Sequence, residues 1–163
     1  MSELLLDTSL DRDQRDCAEN IQKSANGLLT VINDILDFSK VESGRLDIDE
    51  VQFSLSAVVH DVNRMLSFAA LRKNLAYESN IQPEIERGLR VMGDPGRLRQ
   101  ILTNLLTNGI KFTPEGHVKL SVSIRSETSD TVDVKFVVED TGIGIEKDVC
   151  KRLFNPFIQA DSS

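Results

Sequence analysis

Asn104, Asn108 and Lys111 fall at intervals of four and three, the spacing that places three side chains on one face of a helix. Two neutral amide oxygens and an ammonium suit a phosphate-bound Mg²⁺. The amides are hard ligands for a cation that keeps most of its shell as water and phosphate oxygen, and the lysine offsets phosphate charge. An ordinary solvated helix face has the same spacing, so the triplet alone does not choose. A second group, Asp140-Thr141-Gly142-Ile143-Gly144-Ile145, directly follows the apolar run 136–138. A carboxylate at a strand's end can accept from the exocyclic amine of a purine, and Gly142 and Gly144 permit close backbone approach. A tight turn with no ligand also reads this way. The turn is neither a P-loop nor a Rossmann turn: it has no Gly-Lys-Ser/Thr, and the following helix is delayed to Glu146.

The elements that must carry these groups are legible from period and punctuation. Asp94-Pro95 is a helix start, with an aspartate to cap free amides and a proline at the first helical position. Leu98, Ile101, Leu102, Leu105 and Leu106 continue that helix to about Lys111, and Thr113-Pro114-Glu115-Gly116 ends it. Val118, Leu120, Val122 and Ile124 alternate, as do Val132, Val134, Phe136 and Val138, and 126–130 joins them as a hairpin. Upstream, 55–71 has helical period, 75–81 and 89–92 read as strands, and Leu46, Ile48, Val51 and Phe53 suggest a short edge strand. Together these predict helices on one face of a mixed, largely antiparallel sheet, an α/β sandwich.

Ahead of that sandwich, Ile21, Ala25, Leu28, Ile32, Ile35 and Ser39 form a heptad seam on a proline-free helix over 11–42, widened by Leu29 and Leu36. So broad a stripe belongs in a helical bundle. Leu4, Leu5 and Leu6 read as the last turn of a preceding antiparallel helix, and Ser43-Gly44 stops the long one. The fold class is therefore α+β: a long bundle helix in a first region, 1–44, then the sandwich in a second, 45–163.

Composition bounds the function. With 40% hydrophobic and 28% charged residues in 163, the chain has the makeup of a soluble globular protein. A formal charge of -7 disfavours nonspecific binding to nucleic acid or anionic membrane, so an anionic ligand needs local cations. Cys17 and Cys150 stand far apart in no metal-ligand spacing, which points to thiols in a reducing compartment and gives no sign of zinc. No apolar run approaches the roughly 20 residues of a membrane span. The expected location is cytoplasmic, as the cytosolic part of a membrane-anchored receptor if there is an anchor elsewhere.

The motifs carry a resemblance in both wording and order. GDPGRLRQILTNLLTNGIKFTPEGHVKLSV, 93–122, resembles the asparagine box of histidine kinases. VEDTGIGI resembles their first glycine box and LFNPFIQAD, 153–161, their phenylalanine box. AENIQKSANGLLTVINDILDFSKVESGRLDID is similar to the second helix of the family's dimerisation and phosphotransfer bundle. The likeness covers essentially the whole chain and is nearest in wording to hybrid sensor kinases. It implies a Bergerat-type ATP-binding fold, with ATP and Mg²⁺ as ligands. By position, it implies that Asn108 ligates Mg²⁺, that Asn104, Lys111 and Phe112 hold the triphosphate, with Asn104 in the catalytic role, and that Asp140 reads the adenine amine. It also implies that Gly142 and Gly144 shape the pocket, and that Phe154 and Phe157 pack over the nucleotide. Gly109 stands where the family more often has alanine.

Two departures shape the expectation. The family's acceptor histidine sits in a Ser-His-Glu-x-x-Thr-Pro setting, and neither His60 nor His117 has it; the chain also stops before a second glycine box. The resemblance therefore implies an ATP-binding region whose phosphoryl acceptor and last pocket wall lie outside it. The implied partners are a receiver domain and a second copy joined through the 11–42 helix, with no nucleic acid. Two alternatives stand beside this. One is an ATPase of the gyrase and chaperone group, which the asparagine at 104 disfavours because that group uses a glutamate there as general base. The other is a non-catalytic module that assembles with a kinase.

Overall fold

The computed structural model describes residues 1–150, in two units, Met1–Asp47 and the residues from Ile48 onward. In the first unit, helix α1 (Ser2–Leu6) packs on helix α2 (Arg12–Glu42). Asp11 starts α2 with a reciprocal capping box: its carboxylate accepts from the Gln14 amide at 2.8 Å, and the Gln14 side chain accepts from the Asp11 amide. At the other end the Gly44 and Arg45 amides donate back to Val41 and Lys40 carbonyls, closing the last turn. The expected seam is exposed along α2, with Ile21, Leu28, Leu29, Ile32, Ile35 and Leu36 all in contact with solvent.

The second unit runs β1 (Val51–Ser54), α3 (Leu55–Arg72), β2 (Ala76–Ile81), α4 (Pro83–Glu86), β3 (Arg90–Gly93), α5 (Pro95–Phe112), β4 (His117–Glu127), β5 (Val132–Asp140) and α6 (Lys147–Cys150). Its strands form two ladders. β1 pairs antiparallel with β3, while the order β2-β4-β5 places a parallel pair beside an antiparallel one. The mixed sheet is thus divided, and Leu46 and Ile48 precede the first strand. The short α4, which has no periodic signal, supplies Ile85 to the core at full burial. Strand β4 extends to Glu127 with a register shift between Ile124 and Ser126, and a turn held by Thr128 and Thr131 replaces the longer expected loop.

The core lies between the two long helices and the three-stranded ladder. Val59, Val62, Leu66 and Ala70 of α3 and Leu102, Leu106 and Ile110 of α5 meet Val118, Leu120 and Val122 of β4. The period-2 run of β4 turns one face inward, and the 3.6-residue period of α5 leaves its opposite face for other work.

Candidate functional site

Helix α5 is fixed at its start. Asp94 Oδ1 accepts from the Arg97 amide at 2.9 Å and Oδ2 from the Asp49 amide at 3.3 Å. The first of these bonds chiefly lowers the Asp94 pKa below the usual aspartate value. With Leu102, Leu106 and Ile110 turned into the core, Asn104, Asn108 and Lys111 emerge on the exposed face. The Lys111 ammonium lies 4.8 Å from the centre of the neighbouring Phe112 ring, a cation–π contact that restrains an otherwise mobile side chain.

Gly109 brings the second motif to this helix. A Cβ placed there would lie 3.3 Å from Val118 Cγ1 and 3.6 Å from Asp140 Cβ, so α5 runs hard against β4 and the end of β5. The site's carboxylate is therefore held beside the helical turn that carries Asn108. Asp140 Oδ1 accepts from the Gly142 amide at 2.9 Å, which fixes the turn that follows.

The turn is then fastened to the end of α5. The Ile143 amide donates to the Phe112 carbonyl at 3.2 Å. Gly142 has no room for a side chain, since a Cβ would stand 2.6 Å from that same carbonyl oxygen and 2.8 Å from Asp140 Oδ1. Gly144 is different: nothing lies within 4 Å, and a left-handed φ of +69° accounts for the glycine. Ile143, Gly144 and Ile145 leave the turn exposed.

Three residues beyond the sequence expectation complete the assembly. Thr141 Oγ1 accepts from the His117 amide at 3.0 Å, while its own amide donates to the His117 carbonyl, clamping the turn to the start of β4. Thr113, which ends α5, is fully buried, and its hydroxyl has no partner among the described residues. Lys73 donates from Nζ to the Ile110 carbonyl at 2.9 Å and to the Lys111 carbonyl at 3.0 Å. No local pattern announces such contacts, because Lys73 and Ile110 are 37 residues apart.

The structure thus brings Asp140 and Gly142 against the last turn of α5, which carries Lys111 and Phe112, while Asn108 and Asn104 follow one and two turns back along the exposed face of that helix and Gly144 lies beyond the turn. The histidines stand otherwise. His60 Nε2 is 2.9 Å from Glu86 Oε2 on the exposed side of α3, and His117 Nε2 is 3.9 Å from Glu139 Oε1. Phe154 and Phe157, the expected lid residues, lie outside the described residues. Among the described residues no cluster of three or more His, Cys, Asp or Glu could hold a metal, so a cation here would need asparagine and ligand oxygens. No helix among them is long and apolar enough to cross a membrane.

Comparison with known proteins gives this arrangement a family. Residues 93–163 match the histidine kinase-, DNA gyrase B- and HSP90-like ATPase model, and residues 1–44 match the His Kinase A (phospho-acceptor) domain. Hybrid signal transduction histidine kinase L of Dictyostelium discoideum is 44% identical over the whole chain, which covers 9% of that protein. The chain belongs to the histidine kinase family. Signal transduction histidine-protein kinase BarA of Escherichia coli (strain K12) is 41% identical over 160 residues, 98% of this kinase chain and 17% of BarA. The chain therefore spans less than a quarter of either relative's length. Among solved structures, full-length ShkA in complex with AMPPNP matches with a TM-score of 0.75 and 31% identity, over 99% of this chain and 33% of ShkA. The Acinetobacter baumannii histidine kinase AdeS shares the fold at a TM-score of 0.69 and 23% identity, over 91% of this chain and 68% of AdeS.

Proposed function

We propose that this chain is the ATP-binding catalytic region of a two-component sensor histidine kinase, and that in the whole protein it directs the γ-phosphoryl group of ATP to a histidine. The observation that carries this reading is the convergence at the end of α5. Asp140 packs beside Gly109, the D-x-G turn is bonded to the Phe112 carbonyl, and the Asn104–Asn108–Lys111 face is open to solvent.

The residues fit a magnesium nucleotide. With no space for a Cβ at Gly142, the turn stays tight against the end of α5, and Asp140, with Oδ1 held by the Gly142 amide, is oriented to accept from an adenine amine. Asn108 offers a neutral oxygen to the cation, Asn104 holds phosphate oxygens in place, and Lys111, steadied on Phe112, offsets charge that spreads over the transferring group. Magnesium held by Asn108 would supply divalent charge to offset that of the phosphates. The asparagine at position 104 cannot act as general base on water, which favours transfer to a protein acceptor over hydrolysis.

In this reading residues 1–44 form part of a dimerisation and phosphotransfer bundle and 45–163 the catalytic domain. The protein is cytosolic, pairs with a second copy through α2, and passes phosphate to a receiver domain. ShkA, solved with AMPPNP, supports the choice of nucleotide. The test is titration calorimetry with a non-hydrolysable ATP analogue and Mg²⁺ on a chain extended through the second glycine box. Asn108→Ala should abolish the magnesium-dependent part of the affinity while circular dichroism stays unchanged. Equal affinity for variant and parent would defeat the assignment.

A further inference from the structure

The last carbonyls of a helix have no partners within it, and at the end of α5 the four are taken up by three different groups. Gly109 O takes the Thr113 amide, Phe112 O takes the Ile143 amide, and Ile110 O and Lys111 O both take the Lys73 ammonium. The first bond is local and the second brings in the D-x-G turn. The other two depend on one side chain from a different helix.

We infer that Lys73 is a positioning residue for the nucleotide site, holding the last turn of α5 so that the Phe112 carbonyl and the Asp140–Gly142 turn meet in register. The inference rests on the nucleotide reading above and adds to it a residue that touches no ligand. Its geometry is preset. Lys73 caps α3, and the chain beyond it closes in a Schellman motif: the Asn74 amide donates to Leu71 O and the Leu75 amide to Ala70 O. Asn74 adopts φ +58°, and Leu75 is buried in the core. The lysine stem thus leaves a rigid corner, which fixes where it starts, while its own torsions must still order when the ammonium grips two carbonyls. Charge-assisted bonds of this kind are stronger than neutral ones.

The consequence passes to the base-reading turn through two contacts already described. Ile143 donates to Phe112 O and Gly142 N donates to Asp140 Oδ1, so a shift of the carbonyl passes through these bonds to the turn and to Asp140. Lys73 therefore acts on adenine reading as well as on the Lys111 turn.

The experiment uses Lys73→Met, which keeps the stem and removes the donor. Amide hydrogen exchange on the nucleotide-free chain should show Ile143 losing protection on the order of tenfold relative to the Val118, Leu120 and Val122 amides, as expected for loss of charged hydrogen bonds. Affinity for adenosine, which has no phosphate, should fall severalfold in the chain extended through the second glycine box. Lys73→Arg, which retains a charged donor, should restore most of both. Unchanged Ile143 protection relative to β4 would overturn the inference, even if the melting temperature dropped, because that is a merely structural role. A loss confined to phosphate-bearing ligands would also overturn it, since Lys73 would then act by charge alone. Failure of the parent to bind any nucleotide would instead overturn the functional reading, and the exchange measurement would still decide what Lys73 holds.

Discussion

Gly142→Ala is the sharpest perturbation the site allows. The added methyl would begin 2.6 Å from the Phe112 carbonyl oxygen, whereas ordinary contact starts near 3.4 Å, so one partner must give by about 0.8 Å. The carbonyl is poorly placed to do so: it already accepts from Ile143, and the two carbonyls before it are gripped by Lys73. The turn must yield instead, and it carries Asp140. Overpacking of this order costs about 1–3 kcal/mol of stability, too little to unfold a domain with a core of this extent. A displacement approaching 1 Å in a binding group costs on the order of 100-fold in function. Urea unfolding should therefore show a folded, modestly weakened protein, and calorimetry in the chain extended through the second glycine box should show nucleotide affinity down by two orders of magnitude. Gly144→Ala is the internal comparison: it meets nothing within 4 Å and carries only the left-handed backbone cost of about 1–2 kcal/mol. If Gly142→Ala bound nucleotide within twofold of the parent, the close approach would have no part in the site.

Two further outcomes follow from packing. Gly109→Ala gains about 1 kcal/mol of helix propensity but sets a methyl 3.3 Å from a fully buried Val118; chemical denaturation should show a net gain below about 1 kcal/mol, and a loss above 2 would mean that β4 cannot give at all. Along α2, Ile32 and Ile35 keep 42% and 48% of their surface exposed, and full burial of each is worth roughly 1.5–3 kcal/mol. Sedimentation should show a concentration-dependent dimer that Ile32→Glu with Ile35→Glu disperses, and a parent that stays monomeric at high concentration would remove the proposed pairing.

What the sequence made legible was whatever depends on local period and punctuation. Asp94-Pro95 announced α5 because a cap and a first-turn proline are local chemistry, and the alternation of Val118, Leu120 and Val122 announced a half-buried strand. Asn104, Asn108 and Lys111 stand out by helical spacing, Asp140, Gly142 and Gly144 by their place after an apolar strand, and Phe112 only by the resemblance, but the meeting of the two groups at the end of α5 could not be read from period alone. It depends on the approach of Gly109 to Val118 and Asp140, which only the packed helix and sheet create. The parallel pairing of β2 with β4 and the separate β1-β3 ladder were equally hidden, since alternation gives a strand's faces and not its neighbours. Lys73, Thr113 and Thr141 escaped notice for a related reason. The contacts of Lys73 and Thr141 join segments far apart in the chain, the burial of Thr113 follows only from packing, and a lone lysine after a helix looks like any solvated cation until the second helix is in place.

The proposed activity is transfer of a phosphoryl group to a histidine other than His60 or His117. It is tested most directly by incubating γ-labelled ATP and Mg²⁺ with the longer protein that includes the acceptor segment and the second glycine box, and in parallel with the 163-residue chain. The expected result is acid-labile, base-stable label on the longer protein, lost in Asn104→Ala, with none on the 163-residue chain, whose His60 and His117 lie in surface pairs with Glu86 and Glu139. Label on the 163-residue chain itself, or release of free phosphate from the longer protein with no phosphohistidine formed, would contradict it.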